Sequence, residues 1–247
     1  MTRQHAAGSC LEICVDTHAG LNAAVKGGAD RIELCSALQV GGLSPSLALL
    51  EAACASPVPV YVMVRPRDGG FRYDPVELAG MEKEIAQVRE MGLAGVVFGA
   101  GDDTGLDFEA MRRLCTAAQG LGKTLHRVVD LLPERLSILD PVRQLGFERI
   151  LTSGGGAKAI DALSDISCLV KAGSASGGLT IMPGSGVTPE NVSTILSATG
   201  AREVHASAAV PVSTPSTRLV DLGFSAVSPK SVSEKNVRRL KAAVSGR

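Results

Sequence analysis

The chain has 247 residues, of which 45% are hydrophobic and 3% aromatic, and its 25 Lys and Arg residues balance 25 Asp and Glu residues. A neutral charge with so few aromatic side chains argues against a nucleic-acid partner, because nucleic-acid binders rely on basic patches and stacking platforms. The lack of a long apolar run argues against a membrane partner and, with the polar start, predicts a cytoplasmic protein.

Eight short β-rich runs follow one another along the chain, and stretches with apolar residues at helical spacing separate them. The predicted strands cover residues 11–15, 31–35, 60–64, 95–99, 124–128, 149–153, 179–183 and 203–207. Because these runs show no polar alternation, helices must cover their outer face. A single-domain (β/α)8 TIM barrel of the α/β class is therefore predicted. An open doubly wound sheet is the alternative, although no G-x-G-x-x-G follows the first strand.

No linker divides the chain before about residue 209, so we predict one domain over residues 1–247 with a barrel core at about 11–208. Residues 210–233 are rich in Ser, Thr, Val and Pro and are too many for an ordinary connection. We predict that they form a loop over the barrel mouth, with disorder as the alternative. A final helix is predicted at 234–244 and begins near Ser233.

Strand side chains alternate between two faces, and in a barrel one of these faces is the interior. This alternation places Glu12 and Cys14 on the inner face of the first strand, and Glu33 and Cys35 on that of the second. Two inward carboxylates need cationic partners, because a buried unpaired charge costs several kcal/mol. The candidate partners follow the third and fifth strands: Arg65, Arg67, His126 and Arg127.

A polar cluster at the C-terminal ends of barrel strands is typical of a barrel active site. It predicts an enzyme that acts on a small anionic or phosphorylated substrate. The candidate catalytic residues are Glu33, His126, Asp130 and Arg65. The candidate substrate-binding and anion-binding residues are Glu12, Arg67, Arg127, Ser153, Gly184, Gly186 and His205. The alternative is an internal salt-bridge layer that only fills the barrel.

The segment Pro183–Asn191 follows the seventh strand with a glycine turn and opens a helix. Thr188 is its predicted N-cap, and Pro189 is predicted at the first helical position. Exposed backbone N–H groups at such a start bind anions, and many barrels bind phosphate at the loops after strands seven and eight. The Gly-rich loop 152–156 could supply more donors. The alternative for both loops is that their glycines only form ordinary turns.

None of the six cysteines belongs to a C-x-x-C pair, so we predict reduced thiols. Equivalent positions on adjacent parallel strands lie about 4.8 Å apart, which would let Cys14 and Cys35 share one soft metal ion such as Cu(I). Met63 or His126 could complete that ion's coordination. Packing as small hydrophobic side chains is the alternative for both cysteines. No role is predicted for the remaining four: Cys10, Cys54, Cys115 and Cys168.

The runs GGADRIELCS, VMVRPRDGGFRY, TLHRVVD, GFERILTSG and MPGSGVTPEN make the chain resemble the CutC family of copper homeostasis proteins, from Leu11 to about Ala208. The resemblance implies a (β/α)8 barrel, cytoplasmic handling of copper (Cu+) and a homo-oligomer, either a dimer or a tetramer. It also implies that Cys14 and Cys35 are the copper ligands. The chain departs from the family's usual HRAFD at His126–Asp130, and residues 210–233 are hard to align with the family.

Overall fold

The computed structural model describes residues 9–175, 177–213 and 216–246. Its barrel strands are β1 (Cys10–Val15), β2 (Arg31–Leu34), β3 (Val60–Met63), β4 (Gly95–Phe98), β5 (Gly122–Leu125), β6 (Arg149–Thr152), β7 (Thr180–Pro183) and β8 (Glu203–Ala206). All ladders between them are parallel, in the order β8-β1-β2-β3-β4-β5-β6-β7. The terminal strands of this order, β7 and β8, lie next to each other. The sheet is therefore a nearly closed barrel, and the TIM-barrel prediction is confirmed.

Helices accompany the strands along the chain. They are α1 (His18–Gly27), α2 (Leu47–Ala53), α3 (Pro75–Glu90), α4 (Phe108–Ala117), α5 (Leu139–Gln144), α6 (Leu163–Ala175), α7 (Val192–Thr199), α8 (Thr217–Asp221) and α9 (Glu234–Ser245). Short 3-10 helices cover Leu38–Val40, Arg127–Leu131, Arg135–Ile138 and Ala159–Ala162. The outward side chains of the strands are apolar, as on β1, where Leu11, Ile13 and Val15 are fully buried. None of the described helices has the length and apolarity needed to cross a membrane.

Residues 210–233, predicted to be a loop, carry secondary structure. Ala209–Pro211 pairs antiparallel with Lys230–Val232, and α8 lies between these two short strands. Strands of three residues show no usable alternation in a sequence, which is why the pairing was not predicted. Residues 214 and 215 of this segment lie outside the described ranges. A second short pair joins Gly101–Asp102 to Gly105–Leu106.

Two helix starts can be compared with the sequence. The helix α9 begins directly after Ser233, whose hydroxyl accepts a hydrogen bond from the backbone N–H of Asn236 (3.4 Å). The helix α7 begins only at Val192, so Thr188 is not its N-cap. The Thr188 backbone N–H instead donates to the side chain of Asn191 (2.8 Å), and a turn precedes the helix.

The lower part of the barrel interior is built around the ring of Tyr61. Glycines on the next two strands of the barrel, Gly95 and Gly122, make room for it, because a Cβ at either position would overlap the tyrosine side chain. The guanidinium carbons of Arg31 and Arg149 lie 5.5 and 4.7 Å from the ring centre. These contacts close the N-terminal end of the barrel, so the polar groups above them face the other end.

Candidate active site in the barrel mouth

The floor of the site is a buried charge network centred on Glu12. This carboxylate is fully buried, bonds to Arg31 and accepts from Nδ1 of His205 (2.9 Å). Arg31 also bonds to Glu203, whose carboxylate lies 3.2 Å from Nε of Arg149. Burial alone would raise the pKa of Glu12, but Arg31 and His205 hold it below its usual range. Glu12 therefore remains an ionised carboxylate.

Glu12 was predicted to bind substrate, and the structure instead places it beneath the cavity. The predicted alternative, an internal salt-bridge layer, describes this level of the barrel. Arg31, its main cation, was not among the predicted partners. It lies two residues before Glu33 and so shares its face, and this alternation could have identified it.

Above the floor, three donor groups converge. The sulfur of Cys14, a carboxylate oxygen of Glu33 and a ring nitrogen of His205 all lie within 4.8 Å of one another. Nε2 of His205 is 3.7 Å from Glu33. Burial would lower the pKa of His205, but the charge of Glu33 and the nearby thiol raise it well above its usual value. Burial raises the pKa of Glu33. A proton can thus be held between these two side chains.

Cys35 lies outside this donor group, contrary to the expected pairing of two thiols. The ladder between β1 and β2 pairs Cys14 with Glu33, so Cys35 is two residues further along its strand. Its sulfur lies 3.6 Å from the Glu33 carboxylate and packs with Met63 in a small buried cluster. The expectation of equivalent positions is wrong because barrel strands are staggered. Burial raises the pKa of both thiols.

A cavity of about 720 Å³ opens above these groups at the C-terminal ends of the strands. Cys14, Glu33 and His205 line the lower end of the cavity. Its upper lining comes from the loops after β2, β3 and β5, from residues 185–190 and 206–209, and from Lys230, Asn236 and Arg239. This volume is typical of small-molecule sites, which span about 300–1,000 Å³.

Arg65 lines this cavity and is only 5% exposed. Its guanidinium donates to three loop carbonyls, those of Val40 (2.7 Å), Gly42 (3.2 Å) and Gly69 (2.9 Å). Within the described part of the chain, its Nε has no hydrogen-bond partner and no carboxylate forms an ion pair with it. The site therefore contains a buried cation whose charge no carboxylate of residues 9–175, 177–213 or 216–246 neutralises.

His126 lines the same cavity and is 4% exposed. Its Nδ1 accepts a hydrogen bond from the backbone N–H of Val128 (3.2 Å), and among the described residues its Nε2 has no partner. Burial, together with the nearby charge of Arg65, lowers the pKa of His126 to about 3. It was predicted to be an acid or base, but at neutral pH this imidazole is an uncharged donor through Nε2.

Asp130, also predicted to be catalytic, anchors a loop. Its carboxylate accepts hydrogen bonds from Nε of Arg127 (2.8 Å), the hydroxyl of Thr152 (2.5 Å) and the backbone N–H groups of Ser153 (3.0 Å) and Gly155 (3.1 Å). Arg127 also donates to the Ser153 hydroxyl (2.7 Å). Ser153 is fully buried and does not line the cavity, whereas Arg127 and Asp130 do. With both oxygens occupied, Asp130 is suited to positioning the loop after β6.

Three predicted anion-binding positions can now be placed. Arg67 lies outside the cavity, pairs with Glu77 and donates to carbonyls of its own loop. The backbone N–H of Gly184 donates to the carbonyl of Thr152 (2.9 Å), so it is not available to a ligand. Gly186 does line the cavity, with a φ of +67°. Arg67 does not share the cavity with Arg65 because β3 ends at Met63 and strand alternation no longer applies beyond it.

Comparisons with known proteins bear on this site. A model of the CutC family matches residues 9–210. A family protein CutC of Sinorhizobium medicae is 46% identical over 233 residues, which is 94% of each chain. A family protein CutC of Caulobacter vibrioides is 46% identical over 217 residues, covering 87% of this chain and 88% of that one.

Solved structures show the same fold. The chain is similar to a crystal structure of CutC from Streptococcus agalactiae, whose description names copper homeostasis. The TM-score is 0.76 at 32% identity, covering 81% of this chain and 98% of that chain. A phosphoribosyl anthranilate isomerase from Thermococcus kodakaraensis superposes with a TM-score of 0.54 at 17% identity, covering 96% of this chain and 98% of that one, and shares the fold alone.

Proposed function

This chain belongs to the CutC family, and from its barrel mouth we propose that it is an enzyme acting on a small anionic substrate. The observation that carries the proposal is Arg65, a buried cation in the cavity wall to which no carboxylate of the described residues is paired. Leaving a buried charge unpaired costs several kcal/mol. An anionic ligand bound at Arg65 offsets that cost, so the cavity is predisposed to bind an anion.

The lower end of the cavity supplies the groups for proton transfer in this proposal. Glu33 and His205 lie 3.7 Å apart and both face the cavity. Glu12 accepts from the other ring nitrogen of His205, which fixes the imidazole in orientation. A substrate bound at Arg65 would lie above this pair. Arg127, with a side chain 41% exposed at the rim, is placed to attract anions into the mouth.

Anion binding that depends on Arg65 is the first expected result. Inorganic phosphate, sulfate and small carboxylates are added to the wild type, and the midpoint of thermal unfolding is recorded. At about 100 times the Kd, a ligand stabilises by about 2.7 kcal/mol, which for a chain of this size raises Tm by roughly 5–10 °C. Arg65→Met should abolish the rise, measured against the variant's own Tm.

The matched control is Arg67→Met, which removes a cation two residues away that pairs with Glu77 outside the cavity. This variant should keep the full ligand-induced rise. The proposal is contradicted when Arg65→Met responds to the anions as the wild type does, or when none of the anions stabilises the wild type.

Cu(I) binding, the role implied by the family's name, is a second candidate function. The donor group of Cys14, Glu33 and His205 favours it, and the thioether of Met63 lines the same cavity. Thiolate, thioether and imidazole are donors that suit soft ions. The donor group contains one thiol, so the predicted pair of cysteine ligands becomes a site with Cys14 alone. Because burial raises its pKa, Cys14 must lose a proton when the ion binds.

We expect Cys14→Ser to weaken Cu(I) binding by more than about 100-fold, since even groups behind the ligands contribute about 10–100-fold. Cys35→Ser, the matched control, should bind as the wild type does. The measurement is an anaerobic Cu(I) titration against a chromophoric chelator. Equal affinities for all three proteins would exclude this site, and a loss confined to Cys35→Ser would reverse the assignment of the ligand.

A cytoplasmic location and assembly into a homo-oligomer, a dimer or a tetramer, also belong to this proposal. The composition of the chain supports the cytoplasmic location, and its family membership supports the homo-oligomer.

A further inference from the structure

We infer that the cavity selects small carboxylates with a second acceptor oxygen on the neighbouring carbon, as in 2-oxo and 2-hydroxy acids. Arg65 would bind the carboxylate, and Nε2–H of His126 would donate to the second oxygen. This inference rests on the proposed function and adds the class of substrate to it. Two polar atoms carry it: in residues 9–175, 177–213 and 216–246, Nε of Arg65 and Nε2 of His126 are buried without a partner.

The hydrogen bonding of His126 determines what it can bind. The backbone N–H of Val128 donates to Nδ1 at 3.2 Å, so Nδ1 carries a lone pair and the proton of the neutral ring is on Nε2. A neutral imidazole of this tautomer can only donate through Nε2. The ligand atom that meets His126 is therefore an acceptor, and a donor such as an ammonium group would leave both polar groups unsatisfied.

Arg65 and His126 share one wall of the cavity. The guanidinium carbon of Arg65 lies 4.8 Å from the centre of the Phe71 ring, and the ring of His126 lies 4.8 Å from the same centre. The carbonyls of Val40, Gly42 and Gly69 bind the two terminal nitrogens of the guanidinium, and its Nε–H has no partner among the described residues. Both donors are thus fixed before a ligand arrives, which lowers the entropic cost of binding.

The combination of a charged and an uncharged donor indicates the ligand. A carboxylate neutralises the buried charge of Arg65, and one further oxygen with partial negative charge satisfies the neutral His126. A carboxylate next to a carbonyl or hydroxyl oxygen supplies both in a small molecule. Leu38, Met63 and Leu151 contribute apolar surface to the same cavity, which suits a short carbon chain.

The test compares two dianions, oxalate and malonate, by calorimetric titration. Oxalate presents oxygens on neighbouring carbons, whereas malonate separates its carboxylates by one more carbon. Oxalate should bind the wild type at least about tenfold more tightly, because one hydrogen bond to a charged acceptor distinguishes the two. The Nε2–H resonance of His126 should shift as oxalate binds. The sequence has four histidines, so a single substitution assigns that signal.

Two variants separate the donor from the local fold. His126→Asn keeps an acceptor near the position of Nδ1 for the Val128 N–H but cannot reach the ligand, so the preference for oxalate should fall to less than about threefold. His126→Gln places an amide N–H near the position of Nε2 and should keep most of the preference.

The results distinguish a wrong substrate class from a wrong proposed function. If oxalate and malonate bind equally well, still depend on Arg65, and leave the His126 signal unmoved, the substrate class is wrong and the proposed function stands. If neither these dianions nor phosphate binds the wild type, both are overturned.

Discussion

Arg31→Met is expected to lower the free energy of unfolding by about 3–5 kcal/mol. Arg31 is 6% exposed and holds two carboxylates, those of Glu12 and Glu203. Its removal would leave the fully buried Glu12 with His205 as its remaining partner, inside the barrel where water cannot replace the lost charge. Urea unfolding at pH 7 measures the loss.

The control for this prediction is Arg113→Met, which breaks an exposed ion pair with Glu82 (3.0 Å). Exposed pairs contribute about 0–1 kcal/mol, so this variant should unfold nearly as the wild type does. A loss below about 1 kcal/mol for Arg31→Met would show that the floor network does not hold the barrel together. Retained stability would also contradict the ionised state of Glu12.

His126→Asn should make the protein less sensitive to acid. The pKa of His126 is about 3 in the folded state, against 6.5 for an ordinary histidine. Between pH 6.5 and about pH 3, His126 is protonated in the unfolded chain but not in the folded chain, so lowering the pH favours unfolding. Each pH unit in this window costs about 1.4 kcal/mol, and the loss at pH 4 is about 3 kcal/mol.

The measurement is urea unfolding of both proteins at pH 7 and at pH 4. Other groups titrate in the same window, but they are common to both proteins, so the difference between the two reports on His126. We expect the stability of His126→Asn relative to the wild type to rise by about 3 kcal/mol as the pH falls. If the two proteins differ in free energy of unfolding by the same amount at pH 7 and at pH 4, then His126 is protonated normally and is not a fixed neutral donor.

The fold was predictable because each strand and helix has its own signal in the sequence. Eight β-rich runs separated by helical periodicity require a covered parallel sheet, and the observed strands begin and end within three residues of the predicted ones. The short strands at Ala209–Pro211 and Lys230–Val232 have no such signal. Their pairing depends on a contact between segments nearly twenty residues apart in the sequence.

Strand alternation predicted whether a residue points into the barrel, as far as the strand continues. It did not predict how far along the barrel axis the residue lies. Alternation correctly placed Glu12 and Glu33 inside the barrel. The stagger between β1 and β2, which separates Cys35 from Cys14, is a property of the closed barrel and has no local sequence signal. Beyond the end of β3, alternation could not distinguish the buried Arg65 from Arg67, whose side chain is 41% exposed.

Chemical roles were the least predictable part of the site, since they depend on partners. His126 and Asp130 are residue types that commonly act as acids and bases. Burial and the charge of Arg65 keep His126 neutral, and the hydrogen bond from Val128 leaves its proton on Nε2. The loop after β6 occupies both oxygens of Asp130. No spacing of residues in the sequence contains this information.

The side-chain Nε–H resonance of Arg65 tests most directly whether this residue binds an anion in the barrel mouth. Inorganic phosphate and then oxalate are added to the isotope-labelled wild type, and Arg65→Met assigns the signal. We expect the Arg65 resonance to move with saturation while that of Arg113, in its exposed pair with Glu82, does not. Saturable binding of either anion that leaves the Arg65 resonance unmoved would contradict anion binding by Arg65.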